Sequence, residues 1–262
     1  MPPPTLILGL AAGYHYGDVR PFLASLERVG YAGEVVLFVS PTTRDLPRMA
    51  AHGARVEPFE RPAEFAHVPY NAWRYFLYRD FLARAEKAYA RILLTDVRDV
   101  VFQRGPFAHP WPEALSVTLE DRRVTVGACE HMRRWTEAHL GGEALARLAD
   151  SPIACSGTSV GGLTAVRDYL DAMCARLLPF TPGPRLAGYD QAVHNLLVHE
   201  GRLAGVNVVD NSGPVLTLGY VLDEPERDAE GLVLAASGRP AHIVHQYDRK
   251  PALFAHIRRR YA

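Results

Sequence analysis

Neither sign of charge predominates in this chain. Lysine and arginine number 29, aspartate and glutamate number 29, and the formal net charge at pH 7 is zero. A protein held on nucleic acid through the phosphate backbone needs a basic face, so no nucleic-acid partner is expected. Cysteine is scarce too: Cys129, Cys155 and Cys174 lie far apart and are odd in number. Their spacing fits neither a disulfide framework nor a zinc site, which leaves reduced thiols of the kind the cytosol keeps. Long apolar runs are missing. The opening MPPPTLILGLAAG has no basic n-region, and its apolar stretch is too short to span a bilayer. It is expected to form a first strand. Internal repeats, low-complexity segments and linkers are also lacking. These absences predict a soluble, cytoplasmic protein with no integral membrane segment, folded as one compact unit over residues 1–262.

The strongest positive signal is Ala90 to Phe102, ARILLTDVRDVVF. Ile92, Leu93 and Leu94 precede Asp96 and Asp99, and Val100, Val101 and Phe102 follow. So long a run of branched residues reads as a strand buried on both faces of a largely parallel sheet. Open α/β sheets bind ligands beyond the C-terminal ends of such strands. Unpaired carboxylates there are costly, so the pair needs a cation. Arg98, in a plain Asp–Arg network, and a bound divalent metal are both candidates.

Around this segment the pattern alternates. Thr5 to Leu10 and Glu34 to Val39 read as strands, separated by a helix over Val19 to Val29 that Gly30 and Gly33 terminate. A short third strand is expected over Ala54 to Pro58. A long helix is expected from Tyr70 to Ala88, with Trp73, Phe76, Leu77 and Phe81 on one face. Strands separated by helices favour a parallel, doubly wound sheet. The second half is less regular. Strands are expected over Leu115 to Leu119 and Val124 to Val126, joined as a hairpin, and over Ile153 to Gly162. Helices are expected over Met132 to Leu148, broken at Gly141 and Gly142, over Ala165 to Leu178, and over Tyr189 to Glu200. Short strands near Val206, Leu216, Leu232 and Ile243 precede a basic terminal helix.

Three further segments bear on the choice of cation. GLAAGYHYGDVRPFL places Ala11, Ala12, Tyr14 and Tyr16 in a turn after the first strand. GYDQAVHNLL opens a helix with Asp190 and Gln191, and HIVHQYDRKP sets His242, His245 and Asp248 beside Arg249 and Lys250. In order and approximate spacing, these segments and the Asp96–Asp99 strand resemble the retaining GT-A glycosyltransferases, in particular the family-eight type. The resemblance runs from about residue 5 to 251. It implies one GT-A-like α/β domain, a doubly wound, mixed, mostly parallel sheet flanked by helices. Residues 1–105 would bind the nucleotide, and residues 106–262 would complete the acceptor and metal sites. It implies transfer of a sugar, with retention, from a nucleotide-sugar donor (a UDP-sugar) to a sugar, lipid-linked or small-molecule acceptor.

The resemblance also implies roles. Ala11, Ala12 and Tyr14 or Tyr16 would hold the nucleotide, with a tyrosine stacked on the base. Mn²⁺ or Mg²⁺ would sit on Asp96, Asp99 and a C-terminal histidine, a donor set that suits Mn²⁺ better than zinc. The family motif is Asp-x-Asp, whereas two residues separate Asp96 and Asp99 here. Alignment on the following apolar run makes Asp99 the surer ligand, and Asp96 is open between metal, ribose and Arg98. The C-terminal motif is altered in the same way: Asp248 replaces a glycine and Lys250 comes one residue early. His245 is the nearest match to the family ligand, with His242 and Asp248 as alternatives. Lys250 and Arg249 would add charge at the leaving diphosphate. Asp190 would hold donor-sugar hydroxyls and Gln191 would lie near the anomeric carbon, although capping of the helix accounts for Asp190 locally. Ser156, in SGT, and Arg74, on the helix before the Asp96 strand, would approach the donor. Two other classes accept similar residues: a metal-dependent phosphohydrolase or nucleotidyltransferase, and a non-catalytic sugar-nucleotide binding protein.

Overall fold

A computed structural model describes residues 3–261. The first strand, β1 (Thr5–Leu10), leads through helix α1 (Tyr16–Arg28) to β2 (Glu34–Val39), and through α2 (Leu46–Ala50) to β3 (Arg55–Pro58). Helix α3 (Tyr70–Arg84) then delivers the chain to β4 (Arg91–Thr95) and β5 (Val100–Phe102). The second half continues with β6 (Ser116–Leu119), α4 (Glu130–Leu140), α5 (Gly142–Leu148), β7 (Ala154–Gly161) and α6 (Leu163–Leu177). It closes with α7 (Tyr189–His199), β8 (Asn207–Val209), β9 (Val215–Thr217), β10 (Ile243–His245) and α8 (Pro251–Arg260).

Seven strands form one mixed sheet in the order β3-β2-β1-β4-β7-β6-β8. Every neighbouring pair is parallel except the two that involve β7. The chain runs from β1 outward to β3, then crosses back over β1 to place β4 on its other side. That reversal makes a switch point between β1 and β4, where two adjacent strands send their following loops apart and leave a crevice.

Strand side chains alternate between two cores, as the pleat requires. Leu6, Leu8, Ile92 and Leu94 face α3, α6 and α7 through Tyr75, Tyr78, Leu170 and Val193. Ile7, Leu37 and Leu93 face the opposite way, toward Val19, Phe22 and Leu23 of α1. That second core is shared with a small three-stranded sheet, β5-β10-β9, through Val100, Phe102, Val215 and Ile243. Helix α8 covers the outer face of the small sheet with Leu253 and Ile257. Burying one such side chain contributes roughly 1.5–3 kcal/mol, so both layers are held chiefly by apolar area.

Several expectations change. The Ala90–Phe102 stretch is not one strand, and the sheet is not single. DVRD cannot continue inside a sheet covered on both faces, so β4 stops at Thr95 and β5 joins the small sheet, antiparallel to β10. The hairpin expected over residues 115–126 does not form. Strand β6 pairs with β7 and β8, while Thr125 makes a single bridge to Pro152 and Val126 packs on Met132 and Leu148. Around Leu232 there are only isolated bridges, Arg227 to Val233 and Leu234 to Pro240. Helix α3 ends at Arg84, and its fully buried face carries Ala72, Tyr75, Tyr78 and Leu82, with Phe76 and Leu77 half-buried. Among the described residues no helix is long and apolar enough to cross a membrane.

Candidate active site

A cavity of about 410 Å³ opens at the switch point. Its walls come from the turn after β1, the Asp96–Asp99 turn after β4, the start of β7, the first turns of α3 and α7, and the residues after β10. Strand β7 reaches it through an irregularity. Thr118 pairs with Cys155 and Val117 with Ser159, so Ser156, Gly157 and Thr158 bulge away from β6. The bulge still holds β4, because Gly157 O accepts from Asp96 N at 2.8 Å.

Asp96, Asp99 and His245 converge here, each offering one atom within 4.8 Å of the others. His245 Nε2 lies 3.4 Å from Asp96 Oδ2 and 3.9 Å from Asp99 Oδ1, yet is buried and makes no hydrogen bond. Its other nitrogen, Nδ1, stands 3.3 Å from Thr217 Oγ1 and 3.4 Å from Cys155 Sγ. An imidazole partnered at Nδ1 presents Nε2 to a cation between the carboxylates, the usual arrangement of a histidine ligand. The electrostatics agree. Burial opposes charge on His245, but Cys155, Asp96 and Asp99 raise its pKa well above the ordinary histidine value. Burial lifts Asp99 to about 6, with Asp96 and Asp248 adding to the rise against His245 and Arg98. Burial acts on Asp96 in the same sense, but Arg74 and His245 overcome it and hold that carboxyl well below the usual range. Asp99 is therefore a carboxylate short of positive charge, and a divalent ion would supply it.

The second charged group adjoins the first through Arg74. Arg74, buried, hydrogen-bonds Asp96 through Nη1, while Nη2 reaches Asp190 Oδ2 at 3.1 Å and Ser156 O at 3.2 Å. Burial raises the Asp190 pKa and Arg74 counters it. The capping account of Asp190 fails, because the start of α7 has no side-chain cap and the carboxylate turns to Arg74. Gln191 faces the cavity, with Ser156 Oγ donating to its Oε1 at 3.4 Å.

No protein-family model matches this chain, and no curated protein matches it significantly. The assignment of the site rests on its own chemistry.

Of the residues expected at the site, Ala12, Tyr14, Arg74, Asp96, Asp99, Ser156, Asp190, Gln191 and His245 border the cavity. Three do not. Ala11 is fully buried, its N donating to Phe38 O and its O accepting from Thr43. Tyr16 opens α1 and points into the core. Its hydroxyl is 2.7 Å from His52 Nε2, and Arg48 lies over its ring at 4.1 Å. Lys250 is buried outside the cavity with its ammonium on the carbonyls of Val221 and Leu222, so Arg249 is the cation at that end. Arg98 does not neutralise Asp96 or form the expected network. It pairs with Asp248 at 2.6 Å. His242, its Nδ1 2.9 Å from Gly105 O, is neither on the cavity wall nor in the Asp96–Asp99–His245 cluster.

Tyr70, Asn71, Trp135, Cys155, Gln246 and Arg249 also line the walls. Gln246 and Arg249 stand in the HIVHQYDRKP segment and Cys155 precedes Ser156, whereas no sequence pattern points Tyr70, Asn71 or Trp135 there. Gln246 adopts left-handed backbone (φ 59°), unusual for a non-glycine residue. It accepts from Thr217 Oγ1 at 2.8 Å. Behind Thr217, Glu120 is buried with Oε2 unpartnered, and burial raises its pKa.

Proposed function

We propose that this protein is a metal-dependent glycosyltransferase of the GT-A type, resembling the retaining family-eight enzymes and using a nucleotide-sugar donor, specifically a UDP-sugar. One observation carries the proposal: a single switch-point cavity holds two charged groups, joined through the Arg74–Asp96 pair, that suit different tasks. Asp96, Asp99 and His245 form a place for a cation, and Asp190, Gln191 and Arg74 form the adjoining polar wall.

In this assignment Mn²⁺ or Mg²⁺ on Asp96, Asp99 and His245 would act as a Lewis acid toward the departing diphosphate. Tyr14, half-buried in the turn after β1, stacks on the base. Arg249 adds fixed charge to the diphosphate, a role the sequence assigned to Lys250 and Arg249 together and in which Lys250, turned onto the Val221 and Leu222 carbonyls, takes no part. Arg74 orients Asp190, which accepts from donor-sugar hydroxyls. Gln191 lies on the back face of the anomeric carbon. An amide is a poor nucleophile, so retention proceeds by departure and attack on the same face, with a diphosphate oxygen taking the acceptor proton. The acceptor is a sugar, a lipid-linked glycan or a small molecule.

Incubation with a panel of UDP-sugars and Mn²⁺, with and without acceptors, tests the proposal by UDP release. Release that depends on acceptor and is lost with EDTA is expected. Release of UMP and sugar 1-phosphate, or of UTP and sugar 1-phosphate when pyrophosphate is added, would favour the phosphohydrolase or nucleotidyltransferase alternative. Donor binding with no turnover on any acceptor would favour a sugar-nucleotide binding protein. NMR of the first-formed product reads the anomer, and an inverted product overturns the retaining assignment.

A further inference from the structure

A second cavity of about 460 Å³ adjoins the first and shares Trp135, Gln191, Gln246 and Arg249 with it. Its wall is unlike that of the donor cavity. Trp135 and His131, one turn apart on α4, stack with ring centroids 5.7 Å apart and planes inclined by 28°. Trp135 is held in place, because its indole N–H donates to Arg185 O at 2.7 Å. Tyr220 supplies another ring, fixed by a 2.9 Å contact between its hydroxyl and Cys129 Sγ. Gln191, Gln246 and Arg249 provide the polar groups, and no aliphatic side chain lines this space.

We propose that this cavity is the acceptor shelf, and that the acceptor presents a pyranose ring to Trp135. The proposal deepens the glycosyltransferase assignment and rests on it for the term acceptor. Aromatic faces are electron-rich, and one side of a pyranose is a flat patch of C–H bonds with positive partial charge. The ring edge carries hydroxyls, which need donors and acceptors at fixed positions around the aromatic floor. Trp135 with His131 supplies the floor, and Gln191, Gln246 and Arg249 supply the edge. An alkyl chain would find no aliphatic wall and would leave these amides and the guanidinium unpaired, at a cost in affinity. The shared wall at Gln246 and Arg249 brings the acceptor hydroxyl in beside the diphosphate, the face from which same-face substitution requires attack.

Saturation-transfer NMR on the full chain, with methyl hexopyranosides and matched linear alcohols, tests the shelf with and without Mn²⁺ and UDP. Saturable glycoside binding is expected, weakened about tenfold by Trp135→Leu. The drop should be smaller for Trp135→Phe, which keeps a flat face and guards against a misfolded Leu variant, and severalfold for His131→Ala. Absence of glycoside binding in every condition overturns the proposal, as does binding indifferent to Trp135→Leu or tighter binding of the alcohols. Calorimetry of the unaltered protein with Mn²⁺ and UDP reads the donor assignment separately. UDP binding without glycoside binding overturns the shelf alone. Glycoside binding sensitive to Trp135, without UDP binding, overturns the donor assignment and upholds the saccharide site.

Discussion

Asp99 is held charged at neutral pH against its surroundings. Its pKa is raised to about 6 by burial and by Asp96 and Asp248. A carboxyl raised in the fold stabilises it below the unfolded pKa, and that contribution is lost as pH rises through about 6. The metal-free protein should therefore lose stability across that window, while Mn²⁺ affinity should climb across it because the ligand is the carboxylate. Calorimetric Mn²⁺ titrations at pH 5 and pH 7.5 check the second part, and equal affinities would refute it. Asp99→Asn should weaken Mn²⁺ by at least about tenfold and leave the metal-free Tm unchanged or higher, since a buried charge is removed. Arg74 poses the opposite case. Its removal leaves Asp190 buried without a partner, so Arg74→Met should cost about 3–5 kcal/mol in urea unfolding. A cost under about 1 kcal/mol would mean that solvent already compensates the pair. Gln191 is half-buried with no charged partner, so in the proposed reaction its contribution is dipolar. Gln191→Ala should slow turnover by ~10²–10³ without abolishing it. A wild-type rate in that variant would remove Gln191 from the reaction.

The element that shapes the Asp96–Asp99–His245 cluster is the bulge in β7. A Cβ added to Gly157 would lie 2.2 Å from His245 Cε1 and 2.8 Å from Asp96 Oδ2. The backbone there has no need of positive φ, so the glycine serves close approach alone. Gly157→Ala should displace His245 and Asp96 while the strand still pairs with β4. Mn²⁺ affinity should fall by at least about tenfold, with a stability loss of about 1–3 kcal/mol from overpacking. An alanine variant that binds Mn²⁺ normally would show that the three groups do not share one ion. The turn after β1 works similarly. Helix α1 begins at Tyr16, one turn earlier than the apolar spacing from Val19 suggests. That start sends Tyr16 into the core and leaves Tyr14 in the turn facing the cavity.

Across the whole molecule, the site depends on how the small sheet seats against the large one. Asp99 precedes β5 and His245 ends β10, so both candidate ligands ride on the small sheet, while Asp96 follows β4 of the large sheet. Ser25, fully buried on α1, accepts from Phe102 N at 3.0 Å and donates to Phe22 O at 2.9 Å, tying β5 to that helix. Ser25→Ala leaves the Phe102 N–H unpaired, and stability should fall by about 1–3 kcal/mol. If the seating also sets the ligand geometry, Mn²⁺ affinity should fall with it, measured by calorimetry well below the Tm. Lost stability with unchanged affinity would show that the two sheets hold register without this contact.

The amino-acid sequence by itself determined the parts that depend on near neighbours. Apolar runs in β1, β2 and β4 mark strands because burial on both faces demands unbroken branched residues. Asp96 and Asp99 stand out because carboxylates at the end of such a run need a cation. Asp190 and Gln191 stand out as polar residues at the opening of a helix with an apolar stripe of Ala192, Val193, Leu196 and Leu197. The tertiary structure alone decided which charges meet. Arg74 is 22 residues from Asp96 and 116 from Asp190, while Arg98, two positions from Asp96, pairs with Asp248 instead. Lys250 reads as a free cation but is turned onto the Val221 and Leu222 carbonyls, leaving Arg249 at the cavity. The break of one apolar run into β4 and β5 had the same origin. Local pattern shows that residues want burial, but the direction of each side chain follows from the packing of distant elements around it.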